Sequence, residues 1–301
     1  MTTKWRLAFS NCSAFGMVVA ATHASGMQNV EFKVSREEGV NYISVNGRDL
    51  ASTVIVRASL RIDELRSAEE TFTFCLNCSD LMIAVPHGSS LQHQRLVMEC
   101  VGDEVIIKTE DTDVKNTVET RYTLPLYEND VPLMVFEGFD YDILLEVDVV
   151  KMRSLLAVAH KVKSEHVTVT VQLMQVDETR TLSSVKMSLQ GKMGVQRVYR
   201  NETQMGEDGS TVVRAAGDFM IDEDMEPAKD TSAIDSVEPV FHNTFATSKM
   251  ESFLKVLPGS MVAAHVSQDK PIVFHVPLLG EDWEESKSNL KFIMAPTMEG
   301  I

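Results

Sequence analysis

The sequence predicts an α+β protein of two similar domains, each built from two β-α-β-β-β units with the helices on one face of antiparallel sheets. The main observation is a repeated order of elements, because a strand, a helix and three further strands follow one another four times along 301 residues. Composition agrees, since 44% hydrophobic and 24% charged residues are typical of a chain that folds around a core. The length is sufficient for two domains of ordinary size.

The first two units lie in the N-terminal half of the chain. Alternating apolar and polar residues, many of them β-branched, predict the strands, and Pro86 ends the second helix. In chain order the predicted elements are strand 5–9, helix 13–23, strands 29–34, 42–47 and 52–60, strand 72–77, helix 79–85, and strands 95–101, 104–110 and 120–127.

The third and fourth units lie in the C-terminal half, where both helices show apolar residues at steps of three and four. In chain order the predicted elements are strand 142–147, helix 149–162, strands 167–173, 184–190 and 195–200, strand 238–245, helix 248–257, and strands 261–267, 271–278 and 289–296.

Two segments interrupt the units. Residues 129–140 predict a connector between an N-terminal domain, 1–128, and a C-terminal domain, 141–301. Residues 206–238 contain ten Asp and Glu against two Lys and Arg, a net charge of −8. This composition predicts a mobile acidic insertion in the second domain.

The two helices of the C-terminal domain predict an apolar face and a cationic face. With their flanking residues they carry six Lys or Arg and one carboxylate, Glu251, in a chain whose net charge is −16. A solvated helix face is one interpretation of these cations. The other is a surface that tracks the phosphates of DNA, with these candidate contacts: Lys151, Arg153, His160, Lys161, Lys163, Lys249 and Lys255.

Composition and motifs argue against several other classes of protein. A sequence pI near 4.9 disfavours a uniformly basic nucleic-acid binder. The eight histidines form no triad with a nucleophile, and phosphate-binding glycine motifs do not occur. The pair Cys75 and Cys78 has metal-ligand spacing but lacks a second pair of ligands. The sequence therefore predicts no catalytic residue, no metal and no cofactor.

The sequence also predicts an intracellular location. Four cysteines are too few for a disulfide scaffold at this length. The longest apolar run, residues 14–21, is too short to cross a membrane, and the polar residues before it disfavour a secretory signal.

Four motifs of the sequence are specific enough to compare with a known family. The most specific is the C-terminal pair KPIVFHVPLL and NLKFIMAPT, which ends in Met-Ala-Pro at residues 294–296. The others are TFATSKMESFLKVLPGSMVAAHVSQDKP, residues 244–271, and the shorter segments RYTLPL and SVKMSLQGKMG. Together they resemble the DNA sliding-clamp family, the polymerase processivity factors typified by proliferating cell nuclear antigen. In order, they are similar to its closing hairpin, its last inner helix with a Thr-Phe-Ala start, and the edge strands of its first and second domains.

The resemblance implies a non-enzymatic clamp that encircles duplex DNA without sequence specificity and acts in DNA replication and repair. It would tether a DNA polymerase and other proteins, need a clamp loader, assemble as a homotrimer, and work in the nucleus or another replication compartment, including one of viral origin. The implied subunit interface consists of Arg121, Tyr122 and Leu124 of one copy and Val185, Met187 and Leu189 of the next.

The resemblance also implies a pocket for the docking peptides of partner proteins. Four consecutive apolar residues in the connector favour such a site, since exposed apolar patches often bind partners. The implied pocket residues are Val45, Leu50, Leu133, Met134, Val135, Phe136, Pro271, Ile293, Ala295 and Pro296.

One feature departs from the family. The helices predicted in the first domain carry no Lys or Arg, and Asp80 is the charged residue of the second of them. Either this domain contributes little phosphate contact, or loops such as 87–95 supply the cations. The alternatives are a monomeric or heterotrimeric clamp, as in the checkpoint clamp, or a β-rich scaffold that does not bind DNA.

Overall fold

The computed structural model divides the chain into two compact units. Unit 1 comprises residues 1–136 and 276–292, and unit 2 comprises residues 137–275 and 293–301. The structure describes residues 3–51, 53–85, 94–111, 119–128, 141–176, 181–205, 211–215, 233–257, 259, 261–268, 270–278 and 287–297. Among these residues, no helix is long and apolar enough to cross a membrane.

Unit 1 contains two helices and two groups of five strands. One group has the order β5-β1-β7-β8-β9, and the other has the order β19-β4-β3-β2-β6. The elements are β1 (Thr3–Phe9), α1 (Cys12–Ala24), β2 (Asn29–Glu37), β3 (Val40–Arg48), β4 (Val54–Arg61), β5 (Glu64–Ser67), β6 (Phe72–Asn77), α2 (Cys78–Ala84), β7 (Gln94–Val101), β8 (Glu104–Asp111), β9 (Glu119–Pro125) and β19 (Asn289–Met294).

Side-chain caps set where the two helices of unit 1 begin. The Asn11 side chain accepts a hydrogen bond from the Ser13 amide at 2.9 Å, and Asn77 caps α2 by accepting from the Ser79 amide at 3.0 Å. These bonds satisfy amides that have no partner within the helix. Because α1 is apolar on nearly every side, ten of its 13 residues are buried.

Aromatic rings form a connected core in unit 1. The Phe9 and Phe15 ring centroids are 5.1 Å apart, those of Phe32 and Phe74 are also 5.1 Å apart, and those of Trp5 and Phe74 are 4.6 Å apart. The Phe15 and Phe32 ring centroids are 5.7 Å apart, so Phe15 joins α1 to both groups of strands. Burial of such large rings is a major source of folding free energy.

Unit 2 contains two helices above two further groups of strands. One has the order β14-β15-β10-β17-β18, and the other has the order β13-β12-β11-β16. The elements are β10 (Ile143–Asp148), α3 (Val149–Val162), β11 (His166–Gln175), β12 (Thr181–Leu189), β13 (Val195–Glu202), β14 (Gln204–Met205), β15 (Thr211–Ala215), a 3₁₀ helix (Ala233–Ser236), β16 (Phe241–Ala246), α4 (Thr247–Val256), β17 (Met261–Val266) and β18 (Ile272–Pro277).

The predicted α+β class is confirmed, and all four predicted helices are present. The structure adds three strands that the sequence did not indicate, β5, β14 and β15. It also places residues 276–292 in unit 1, whereas the predicted division assigned them to the second domain. Within unit 1, β19 is hydrogen-bonded beside β4.

The prediction of a single mobile loop over 206–238 is wrong for two stretches. β15 pairs in parallel with β10, with Leu145 opposite Val213, and the Val213 side chain is fully buried. Ile234 of the 3₁₀ helix is also buried, and the Gln172 side chain donates to the carbonyl of Val237 at 2.7 Å. The sequence prediction rested on the net charge of the whole segment, and this average does not reveal short apolar stretches within it.

The predicted edge strand of the second domain is also wrong. Val185, Met187 and Leu189 lie on β12, which pairs with β11 on one side and with β13 on the other. Their side chains are buried, with 0%, 2% and 0% of their surface exposed, respectively. The edge of this group is β13, whereas β9, which carries Arg121, Tyr122 and Leu124, is an edge strand as expected.

The contribution of β15 predicts that Val213→Ala destabilises unit 2. Removing two buried methyl groups should lower the free energy of unfolding by about 2 kcal/mol. Chemical denaturation would measure the loss, with Val240→Ala as the control because Val240 is 41% exposed. Equal stability of the two variants would contradict the position of β15 in the core.

Candidate nucleic-acid interface

Helix α3 buries one face and leaves the other in solvent. It begins where the Asp148 side chain accepts from the Lys151 amide at 2.9 Å. It ends at Lys163, whose left-handed backbone, φ +56°, directs its amide to the carbonyls of the last turn. The buried residues are Val149, Met152, Leu155, Leu156, Ala159 and Val162, as the apolar spacing predicts. His160, Lys161 and Lys163 are exposed.

Helix α4 has the same division. Met250, Phe253 and Leu254 are fully buried, Lys255 is exposed, and Lys249 is half-buried. The Thr247 hydroxyl donates to the carbonyl of Glu165 at 2.8 Å, which ties the start of α4 to the strand that follows α3. The predicted lysines therefore lie away from the apolar core on both helices.

Arg153 has a different role from the predicted phosphate contact. Its Nε donates to the carbonyl of Leu254 at 2.8 Å, and its Nη2 donates to the carbonyl of Leu257. Leu254 lies in the last turn of α4, and Leu257 is the residue that caps the helix. The Leu254 carbonyl also accepts from the Leu257 amide at 3.3 Å, so Arg153 adds donors where a helix end is short of them. Arg153 is half-buried and joins α3 to α4. Its guanidinium therefore binds protein carbonyls, whereas the sequence predicted that it would face solvent and bind phosphate.

Glu251 forms the second polar link between the two helices. Its carboxylate lies 2.8 Å from Lys255 Nζ and 3.1 Å from His160 Nε2, although the side chain is only 12% exposed. Burial by itself raises the pKa of Glu251, but hydrogen bonds and charge from Lys255 and His160 outweigh burial and lower this pKa below its ordinary value. Two predicted DNA contacts, His160 and Lys255, are thus both bound by one carboxylate, which partly neutralises Lys255.

Two cations beside α3 were missed by the sequence analysis. Arg197 of β13 donates through Nη1 to the Ser154 hydroxyl at 2.9 Å and to the carbonyl of Lys151. Lys192 lies in the turn between β12 and β13, and its amide donates to the carbonyl of Val162 at 2.7 Å. The pair Gly191 and Gly194 signals a turn here, but only the structure shows that the turn lies at the end of α3.

Unit 1 offers a different surface. No Lys or Arg occurs in α1 or α2, and Ile83 on α2 is 69% exposed. The loop proposed to supply cations lies outside the described residues except for its end. There Arg95 pairs with Glu64 at 2.6 Å and with Glu110 at 3.7 Å, so its charge is matched by carboxylates.

The described residues of the predicted peptide pocket differ in exposure, and they belong to both units. Val45 is buried and Leu50 is 85% exposed in unit 1, at a turn where Asp49 accepts from the Thr53 amide at 2.8 Å. The unit boundary falls within β19, so that Ile293 belongs to unit 2, where it is buried. Pro271, Ala295 and Pro296 of the same unit are half-buried. The connector residues Leu133, Met134, Val135 and Phe136 lie outside the described residues.

The two cysteines with metal-ligand spacing are buried thiols. Burial raises the pKa of Cys75 to about 11, and it also raises the pKa of Cys78, whose Sγ lies 3.4 Å from the Thr22 hydroxyl. Within the described part of the chain, no group of three or more His, Cys, Asp or Glu side chains is arranged to hold a metal ion.

Comparison with solved structures identifies the fold. Proliferating Cellular Nuclear Antigen from Entamoeba histolytica superposes with a TM-score of 0.67, covering 98% of this chain and 100% of that chain at 14% sequence identity. The chain has the sliding-clamp fold. No family model and no curated protein sequence matches it. The clamp fold therefore accommodates this sequence with few residues in common.

The lowered pKa of Glu251 predicts how α3–α4 packing depends on pH. A carboxyl with a lowered folded-state pKa contributes stability above its unfolded pKa of about 4.3, and this contribution is lost as the pH falls through the folded pKa. Glu251→Gln should therefore cost about 1 kcal/mol near neutral pH, a modest value because Lys255 and His160 are exposed. The cost should vanish in acid.

Chemical denaturation of both proteins at several pH values would measure this difference. Glu238→Gln is the matched control, since Glu238 is exposed. A cost for Glu251→Gln that stays constant down to low pH would contradict the lowered pKa.

Proposed function

We propose that this chain is a DNA sliding clamp that encircles duplex DNA and tethers a DNA polymerase during replication and repair. The observation that carries the proposal is the exposed cationic face of α3 and α4 in a clamp fold whose overall charge is −16. An acidic protein gains affinity for DNA when its cations are gathered on one face, where they can replace the counterions of phosphates.

The contact would be sequence-independent. Lysine ammonium groups on long side chains bind phosphate oxygens as point charges, and such contacts position a protein on DNA without distinguishing bases. Each phosphate contact is exchanged easily for the next, so the clamp could move along the duplex. The proposed activity requires no bond chemistry and no cofactor.

Ring closure would use the open edges of the sheets. The edges β9 and β13 each have one unpaired side within their groups of strands. Exposed edges of this kind pair readily with another chain, and repetition of one head-to-tail contact produces a closed ring. We therefore propose a homotrimer in which β9 of one copy pairs with β13 of the next, in place of the β12 contact expected from the sequence.

Partner proteins would bind through short docking peptides, and a clamp loader would place the ring on DNA in a nuclear or other replication compartment. Support for peptide docking comes from the exposed apolar side chain of Leu50, held on a turn by Asp49. Removing such an apolar side chain from water against a partner is favourable.

The proposal predicts that Lys161→Glu combined with Lys163→Glu weakens DNA binding. Both lysines are exposed on α3, and each lost phosphate contact should reduce the salt dependence of the binding constant by about one unit. A labelled duplex titrated by anisotropy at several salt concentrations would measure the change.

The matched control is Lys33→Glu combined with Arg66→Glu, which makes the same change in net charge at exposed positions on strands of unit 1. Thermal melting of all variants confirms folding. Equal losses of affinity in the two double variants would show that net charge alone weakens DNA binding. This result would contradict the proposal that DNA binds the exposed face of α3 and α4. Unchanged binding in both would argue for the scaffold alternative.

A further inference from the structure

The turn between β12 and β13 is held against the end of α3. Gly191 approaches α3 so closely that an added Cβ would lie 2.1 Å from the carbonyl oxygen of Val162, which no other residue type can accommodate without a shift. The Lys192 amide donates to the same carbonyl at 2.7 Å. A backbone bond and a close backbone contact therefore fix where the turn lies.

This position adds Lys192 to the cationic end of α3. Lys161, Lys163 and Lys192 are all exposed, and in the part of the chain that the structure describes no carboxylate forms an ion pair with any of them. Lys255, by contrast, is paired with Glu251. Three exposed lysines without an ion pair among the described residues thus lie around the C-terminus of α3.

The same hairpin also reaches the beginning of α3. Arg197 on β13 contacts Ser154 on the exposed face and the carbonyl of Lys151. Positions 154 and 162 are separated by about 12 Å along a helix axis. Neighbouring nucleotides of one strand rise about 3.4 Å, so this span corresponds to three or four nucleotides.

We propose that the β12–β13 hairpin is a second DNA-contact element, in which Lys192 binds a backbone phosphate beside the C-terminal end of α3. Arg197 is a positioning residue that holds the strand of the hairpin along the exposed face. The ligand chemistry is the phosphate backbone of duplex DNA, read without regard to sequence. The inference rests on the proposed clamp function and extends it beyond the helices.

A purely structural role for Lys192 makes a different prediction. A lysine near a helix C-terminus stabilises the helix through the macrodipole by a few tenths of a kcal/mol. Loss of that effect would lower stability without changing the affinity of the folded protein for DNA. Binding and melting, measured on the same variants, therefore separate the two roles.

The test compares Lys192→Glu, Lys192→Ala and Lys192→Arg with Lys33→Glu in the full chain. Lys33 is an exposed lysine on β2, so its reversal makes the same change in net charge. We expect Lys192→Glu to weaken binding to a labelled duplex several-fold and Lys192→Ala to reduce the salt slope by about one unit. Lys192→Arg should restore both, and Lys33→Glu should leave the salt slope near that of the wild type.

The outcomes separate this inference from the proposed function. If Lys192→Ala binds like the wild type while the Lys161 and Lys163 double variant loses affinity, the clamp proposal stands and the hairpin contact is wrong. If the double variant and Lys192→Ala both bind like the wild type, both proposals are wrong. Lys192→Ala could instead lower the melting temperature and leave the salt dependence of DNA binding unchanged. Lys192 would then only stabilise the C-terminus of α3, and the inference would be wrong.

Discussion

The hydrogen bonds from Arg153 to carbonyls at the C-terminal end of α4 join the two helices that carry the exposed lysines Lys161 and Lys255. A helix C-terminus leaves four carbonyls without backbone partners, and burying them unpaired would cost free energy. The guanidinium is suited to this position because it offers several donors in one plane. With α3 and α4 joined at Arg153 and again at Glu251, their apolar stripes face the strands and Lys161, Lys163 and Lys255 face solvent.

The charged residues of this protein therefore divide into two groups. Arg153, Arg197 and Glu251 bind neighbouring elements and stabilise the packing of unit 2. In unit 1, Arg6 likewise pairs with Glu64 and with Glu99 at 3.1 Å in each case. Lys161, Lys163 and Lys192, at the end of α3, form no ion pair among the described residues, and they are the cations that the proposed phosphate contact uses.

The two units have different surfaces although they repeat the same elements. In unit 1, α1 is buried on most of its circumference, and neither of its helices carries a Lys or Arg. A homotrimer would accordingly contact DNA through three copies of the α3–α4 face. The sequence shows that the helices of the first domain lack Lys and Arg, unlike those of the family it resembles. The structure gives a reason for α1, because most of this helix lies in the core and little of its surface can carry charged side chains.

Sequence periodicity was sufficient for the helices and for most strands because it reports burial directly. The apolar residues of α3, from Met152 to Val162, repeat at helical steps and are the residues that the structure buries. Periodicity does not report which strands are neighbours, so the sequence predicts β12 as an edge, whereas β13 pairs with it. It also does not reveal side chains that bind distant backbone groups, so it predicts that Arg153 lies on the exposed face.

Short elements were missed for a related reason. β15 has five residues within an acidic segment, and its parallel pairing with β10 depends on residues far apart in the sequence. The position of Lys192 likewise depends on the contact between Gly191 and Val162, which no local pattern indicates. Tertiary contacts, rather than local propensity, place both features.

Closure of the proposed ring is tested most directly by the molar mass of the protein in solution. Light scattering of the full chain over a range of concentrations should reveal a species of about 100 kDa, since three copies of a 33.5-kDa chain close the ring. A mass of 33.5 kDa at every concentration would contradict ring closure by this chain alone.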